Sequence, residues 1–282
     1  MKIIEVLVPT DEDAYVIFET VNDRGADLGA AELLKNHLFS KIAEQVAVHQ
    51  EWERTRKALF EIDRRGLDLT SFLRYYWLSK YEHVSKKALY RRIKAKMSKK
   101  AEERIEPARV LGEIVWFRST LEKVFKDGLD EWRSFFGESR QEQRRAHEWY
   151  SYKKNLEFFP KSIQFLPIYA AVVGHMDIID VTNKSFISLM LAVEKINFLY
   201  SYVVQGQTNK IDKLLSGIGR EISEKIALKD GEQVNAIVMS GVSKIHKFLK
   251  EEIDRKEVDS FIDGLNYNKS ADKAIMYFIL IS

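Results

Sequence analysis

The 282-residue chain contains no cysteine, which excludes disulfide frameworks, thiolate metal sites and cysteine nucleophiles. Its residues are 45% hydrophobic and 12% aromatic, sufficient for a packed core, and its four prolines and 13 glycines favour long helices over a turn-rich β fold. The net charge of +3 is unevenly spread, because residues 1–50 carry nine acidic and four basic side chains. With neither a signal peptide nor a run of about eighteen apolar residues, the chain is predicted to be soluble and cytoplasmic, with no membrane partner.

The N-terminal residues predict one short strand, Ile3–Val8, followed by a helix. A single strand cannot satisfy its own backbone groups, so this one requires a partner strand from another copy, another subunit or a missing domain. Pro9 and Thr10 begin the helix, which ends in a turn at Gly25, where glycine suits a position of positive φ.

Apolar periodicity and cap residues predict the next helices. Asp27 caps a helix with an apolar stripe extending to Val46, and a second helix covers 52–65 and stops at Gly66. Thr70 is the predicted cap of a helix over 71–81 that is apolar on several sides and therefore buried. Ser85 caps a basic helix, whose core-facing edge is formed by Leu89, Ile93 and Met97.

The remainder of the chain is predicted to be helical as well. New helices begin at Pro107 and after Ser139. Further helices are expected at 162–173, 183–205, 208–227, 232–250, 255–264 and 270–281. The fold class predicted is therefore all-α, a multi-helix bundle of roughly twelve helices with at most one short N-terminal strand. We place a soft domain boundary near Asp177, which gives a first bundle over 1–176 and a second over 177–282, unless the two form one continuous domain.

The residues that usually carry catalysis do not form a complete site in this sequence. None of the six histidines lies three or four residues from another, so no helical histidine pair is available to a metal ion. The Gly217-Ile218-Gly219 segment lacks the context of a phosphate loop and is interpreted as a helix kink or cap. Acidic pairs stand beside lysine and arginine and are typical of helix surfaces. We therefore predict no catalytic residue and no metal site.

Two basic segments are candidate nucleic-acid contacts, because clustered cations attract phosphate. Residues 86–100 contain eight basic side chains and no acidic one, and a weaker basic face lies beside Trp149, Tyr150 and Tyr152. Basic and aromatic side chains together are typical of single-strand binding. The alternatives are a solvated helix face for the first segment and core aromatics for the second. The candidate contacts are Lys86, Lys87, Arg91, Arg92, Lys94, Arg144 and Arg145.

A more specific pattern lies near the N-terminus. The residues Phe18-Glu-Thr-Val-Asn22-Asp-Arg-Gly25-Ala-Asp-Leu28 fit the pattern Phe-x-x-x-Asn-x-x-Gly-x-x-Leu and are followed by Leu33-Leu-Lys-Asn36. This segment resembles the GmrSD-type restriction endonuclease family, in particular its N-terminal ParB/sulfiredoxin-like subunit. Residues 72–76 and 164–167 are also similar to the helical region of that family.

The resemblance implies a role in prokaryotic restriction and phage defence, with a nucleoside triphosphate as the cofactor of the complete family protein. In that family, the nucleotide site combines an upstream Asp-Gly-Gln-Gln-Arg motif with the pattern carried here by Phe18, Asn22, Gly25 and Leu28, beside Arg24. The upstream motif does not occur in this sequence, so we expect a truncated or split protein that binds no nucleotide alone and is not active alone. Without the family, the same residues predict a structural corner between two helices.

Three functions remain open at the sequence level. The first is a non-catalytic helical module of a GmrSD-like defence protein that contacts DNA or a partner subunit. The second is a nucleotide hydrolase completed in trans by a chain that supplies the missing motif. The third is a structural module that forms a homo-oligomer.

Overall fold

A computed structural model describes ten ranges of the chain: residues 29–62, 67–98, 103–125, 128–158, 162–176, 178, 184–228, 231–266, 268–269 and 275. Across these ranges the regular secondary structure is entirely helical, without a strand, which confirms the all-α prediction. The predicted strand at Ile3–Val8 lies outside the described residues. So do the family-type residues Phe18, Asn22, Arg24, Gly25 and Leu28 and nearly all of the last predicted helix.

The chain packs as two compact units, Met1–Glu122 and Lys123–Ser282. The boundary predicted near residue 177 falls inside the second of these units. In the first unit, the described helices are α1 (Ala30–Lys41), α2 (Gln45–Ile62), α3 (Leu69–Lys80), a 3-10 turn (Lys86–Ala88), α4 (Leu89–Met97) and α5 (Pro107–Val124), the last of which extends two residues beyond the unit.

Helix α3 is the most extensively buried of the described helices in the first unit. Phe72, Leu73, Tyr76 and Trp77 are buried, as their apolar surroundings in the sequence predict, and the ring of Phe72 lies 5.3 Å from that of Phe117 on α5. The helix begins two residues earlier than predicted. Its N-cap is Asp68, whose carboxylate accepts a hydrogen bond from the backbone N–H of Ser71, so the prediction that Thr70 is the cap was wrong.

The second unit is built from seven described α-helices and two irregular helical segments. These are α6 (Leu129–Arg133), α7 (Arg140–Phe158), a 3-10 helix (Ser162–Phe165), α8 (Leu166–Val173), α9 (Lys184–Ile196), a π-helix (Asn197–Val203), α10 (Thr208–Ala227), α11 (Gly231–Glu252) and α12 (Arg255–Asp263). Every residue of α8 is buried, and α10 packs against it. This short apolar helix is therefore the core element of the unit.

Glycines allow the closest helix contacts in the second unit. A Cβ atom at Gly219 on α10 would lie 2.5 Å from the carbonyl oxygen of Pro167 on α8. Gly241 on α11 approaches Ile218 on α10 in the same way, since its Cβ would lie 2.7 Å from Cγ2. Both Gly217 and Gly219 lie within the continuous helix α10, so the interpretation of this segment as a helix cap was wrong. Gly219 instead permits the backbones of two helices to approach each other.

The segment Lys184–Val203 is long and apolar enough to cross a membrane by length and composition. Of its most apolar window, 56% is buried within the protein. Core helices of soluble proteins pass the same test, and α9 has this character because its buried positions contact α11 and α7.

Candidate nucleic-acid interface

Helix α4 presents the basic segment as an organised surface. The side chain of Ser85 accepts a hydrogen bond from the backbone N–H of Ala88 and so begins the helical segment, as predicted. Leu89, Ile93 and Met97 are buried, which confirms their assignment to the core-facing edge. Because these three residues recur every fourth position, the intervening lysines and arginines are directed toward the remaining sides of the helix.

The cations of this segment differ in whether a carboxylate already neutralises them. Lys86 forms a salt bridge of 3.3 Å with Asp68. Burial alone would raise the pKa of Asp68, but hydrogen bonds from Ser71 and the charge of Lys86 outweigh burial and hold this pKa below its ordinary value. The ammonium of Lys94 lies 5.8 Å from the centre of the Tyr90 ring. No salt bridge to a described residue is formed by four others, Lys87, Arg91, Arg92 and Lys96. These four cations, Lys87 in the 3-10 turn and the other three on α4, are called here the α4 cations, and their charge is not compensated by a described carboxylate.

A cleft opens beside these cations, between the end of α3 and the second half of α4. Its volume is about 370 Å³. One wall is aromatic and the other basic, and Glu82 lies on the α3 side. We call it the α3–α4 cleft, and its lining residues are Trp77, Lys80, Tyr81, Glu82, Arg92, Ala95 and Lys96.

Glu113 of α5 fixes the aromatic wall of the cleft. The phenol groups of Tyr76 and Tyr81 both donate hydrogen bonds to its Oε2 atom, and the Tyr76 bond measures 3.0 Å. The other oxygen, Oε1, accepts a bond of 3.0 Å from Nε of Arg109. Burial, together with the hydrogen bond to Glu113 and its charge, raises the pKa of Tyr81 well above its ordinary value. Tyr81 is therefore a neutral ring held in one orientation.

The rest of this wall is also immobilised by ring contacts. The rings of Trp77 and Tyr81 lie 4.3 Å apart, and Trp77 is only 1% exposed, so Tyr81 supplies the accessible aromatic surface. The ammonium of Lys80 lies 3.7 Å from the centre of the Trp116 ring, a cation–π contact. Burial lowers the pKa of this lysine.

The second predicted basic face, on α7, is arranged differently. Arg144 and Arg145 both pair with Glu148 of the same helix, the first at 3.4 Å. Trp149 is buried with its ring 6.0 Å from that of Tyr169, so it belongs to the core and is not available for stacking on a base. This face therefore has less free positive charge than α4.

A buried polar cluster in the second unit was not predicted. Burial raises the pKa of Glu194 to about 7, even though Asn155 donates a hydrogen bond of 3.0 Å to its Oε1 atom. Among the described residues, the buried polar atoms without a hydrogen-bond partner include Oε2 of Glu194, the hydroxyl of Tyr169 and Nδ2 of Asn197. Glu194 precedes Lys195 in the sequence and resembles an ordinary surface charge, so no local signal distinguishes it.

No metal centre emerges from the part of the chain that the structure describes, where no group of three or more histidine, aspartate or glutamate side chains could hold an ion. Fold and site together define an all-helical protein with a basic helix beside an aromatic-walled cleft. Comparison with known proteins finds no matching family model and no significant match among curated proteins or solved structures.

Proposed function

We propose that this chain is a non-catalytic helical module that binds nucleic acid through the surface of α4. The observation that supports the proposal is the set of α4 cations, none of which forms a salt bridge to a described residue. Cations already paired with carboxylates gain little from a phosphate, whereas unpaired ones replace the condensed counterions of the nucleic acid. On the same criterion the α7 face, with Arg144 and Arg145 paired to Glu148, is a secondary contact at most.

The proposal predicts affinity that decreases steeply with salt. Four phosphate contacts give a slope of log affinity against log salt of about −3 to −4 for duplex DNA. Lys87→Glu/Arg91→Glu/Arg92→Glu should lower the affinity roughly tenfold or more at low salt and flatten this slope. Fluorescence anisotropy with a labelled duplex at several salt concentrations measures both quantities.

A control with the same change in charge comes from the second unit. Lys247, Lys250 and Lys256 are exposed on α11 and α12, and their replacement by glutamate alters net charge equally. If this control weakens binding as much as the α4 variant does, the effect is one of net charge and α4 is not the interface. An unmodified protein that fails to bind DNA even at low salt would refute the proposal altogether.

We further propose that the module serves a cytoplasmic GmrSD-like restriction system, with DNA or a partner subunit as its target. The support is the residue pattern at Phe18, Asn22, Gly25 and Leu28 and the similarity of residues 72–76 and 164–167. A neighbouring gene encoding Asp-Gly-Gln-Gln-Arg would supply the missing half of the family's nucleotide site. Without such a gene, the defence assignment loses its support, while nucleic-acid binding by α4 is unaffected.

A further inference from the structure

We infer that the α3–α4 cleft receives one unstacked nucleotide, so that the protein binds single strands in preference to duplexes. This inference rests on the proposed nucleic-acid function and adds the class of ligand. It follows from the combination of a fixed aromatic ring and unpaired cations within one cleft.

The size of the cleft suits a single nucleotide. Its volume of about 370 Å³ is within the range of roughly 300–1,000 Å³ that is typical of small-molecule pockets. In a duplex each base is stacked and paired, so it cannot enter a cleft between two helices without leaving the stack. A single strand does not have to break base pairs to place one base there.

The aromatic wall provides a stacking surface that is already in position. Tyr81 is half-buried, with its hydroxyl bound to Glu113 and its ring against Trp77, so little freedom of the ring is lost when a base stacks on it. Stacking of this kind tolerates any base because every base has a π face. The aromatic wall therefore gives affinity for an unpaired base of any identity.

The opposite wall provides the phosphate contacts. Arg92 and Lys96 line the cleft from α4 and neither forms a salt bridge to a described residue. Glu82, also lining the cleft, is exposed and accepts hydrogen bonds from amino groups on base edges. A phosphodiester and an attached base thus find complementary groups on opposite sides of the same cleft.

A single strand and a free nucleotide both present a base and a phosphate to the cleft. A comparison of their affinities distinguishes the two ligands. A strand also reaches Lys87 and Arg91, which lie outside the cleft lining, whereas a mononucleotide does not. We therefore expect a twelve-nucleotide single strand to bind about tenfold or more tightly than adenosine monophosphate at low salt. Equal affinity for the two would overturn the single-strand assignment.

The test compares single-strand and duplex affinity by fluorescence anisotropy in two cleft variants. Tyr81→Leu removes the stacking ring, and Ala95→Leu narrows the cleft from an exposed position of α4, where a change of side chain leaves the core intact. Each should weaken single-strand binding roughly tenfold and change duplex binding less than about twofold. Tyr202→Leu, at a half-buried tyrosine of the second unit outside both basic segments, is the control and should change neither.

The outcomes distinguish this inference from the proposed function. If the protein binds neither single strands nor duplexes, the proposed function is wrong. If it binds both and Ala95→Leu leaves single-strand affinity unchanged, only the assignment of the cleft is wrong. Tighter binding of the duplex than of the single strand by the unmodified protein would also overturn the inference.

Discussion

The pairing of individual charges determines which basic residues are available to a ligand. Arg145 and Arg91 are equivalent in the sequence, since each lies in a basic helical segment. In the structure Arg145 pairs with Glu148 of its own helix, whereas Arg91 is exposed without a salt bridge to a described residue. The sequence predicts the segment in which cations concentrate, but only the folded neighbourhood shows which of them are already neutralised.

At the same scale, Glu194 predicts a dependence of stability on pH. Its pKa in the folded state is about 7, against an ordinary value of 4.5, because it is buried. Between these values the folded protein retains the proton that the unfolded chain releases, so the free energy of unfolding falls as the pH rises from about 4.5 to 7. Above pH 7 Glu194 is ionised in both states, and its burial then lowers the free energy of unfolding by on the order of 3 kcal/mol relative to low pH.

Replacing this carboxyl by an amide tests the effect. Glu194→Gln cannot ionise, so the stability advantage of the variant over the unmodified protein should grow between pH 5 and pH 8. Urea denaturation at the two pH values measures it. Glu224→Gln, at an exposed position of α10, should show no such growth. A constant difference between Glu194→Gln and the unmodified protein would mean that Glu194 is solvated.

Helix boundaries were predicted well where local chemistry determines them. The hydroxyl of Ser139 accepts a hydrogen bond from the backbone N–H of Glu142, and the carboxylate of Glu142 accepts one of 3.2 Å from the backbone N–H of Ser139. The predicted helix begins directly after Ser139. Helix α10 also has the predicted bounds, 208–227. Prediction failed at α3 because Asp68 and Thr70 are both good caps, two residues apart. The π-helix at 197–203 was not predicted, since its composition is that of an ordinary apolar helix.

The contact between α8 and α10 predicts opposite effects for two glycines of one helix. Gly219→Ala adds a methyl group 2.5 Å from the carbonyl oxygen of Pro167, which belongs to the backbone of a buried helix and cannot easily move. We expect a loss of about 1–3 kcal/mol in the free energy of unfolding, partly offset by better helix propensity. Gly217→Ala meets no atom within 4 Å and should stabilise the protein by about 0.5–1 kcal/mol.

Chemical denaturation of both variants measures this contrast. Because the two substitutions are the same and lie two residues apart in α10, helix propensity affects them alike. The difference between the two changes in the free energy of unfolding therefore reports the contact of residue 219 with Pro167 alone. Equal stabilisation by both would show that α8 and α10 are not in close contact at Gly219.

On the scale of the whole chain, the helical class was predictable but the grouping of helices was not. Apolar periodicity is local, and it predicted most of the observed elements. No local sequence pattern indicates contacts between residues far apart in the chain. An example is the hydrogen bond that Asn155 on α7 donates to Glu194 on α9, 39 residues away. The cleft escaped prediction for the same reason, because Lys80 and Tyr81 are separated in sequence from Lys96 and each looks unremarkable alone.

The two possible boundaries make different predictions about fragments. A cut at 123 retains α8 with α10 and α7 with α9 in one piece, so residues 123–282 should fold alone. A cut at 177 removes α7 and α8, which exposes the packing surfaces of α9 and α10. We expect cooperative thermal unfolding by circular dichroism for 123–282 and a broad, non-cooperative transition for 177–282. Cooperative unfolding of 177–282 would support the boundary predicted from sequence.

The concentration of positive charge on α4 links the stability of the first unit to ionic strength. Arg92 lies four residues before Lys96 in the nine-residue helix α4, so these like charges repel each other, and Lys87 in the preceding 3-10 turn adds a further positive charge beside them. Counterions relieve this repulsion, and a bound polyanion relieves it further. Added salt should therefore raise the free energy of unfolding of the first unit and lower its affinity for a nucleic-acid strand. The same four side chains thus oppose folding and favour binding.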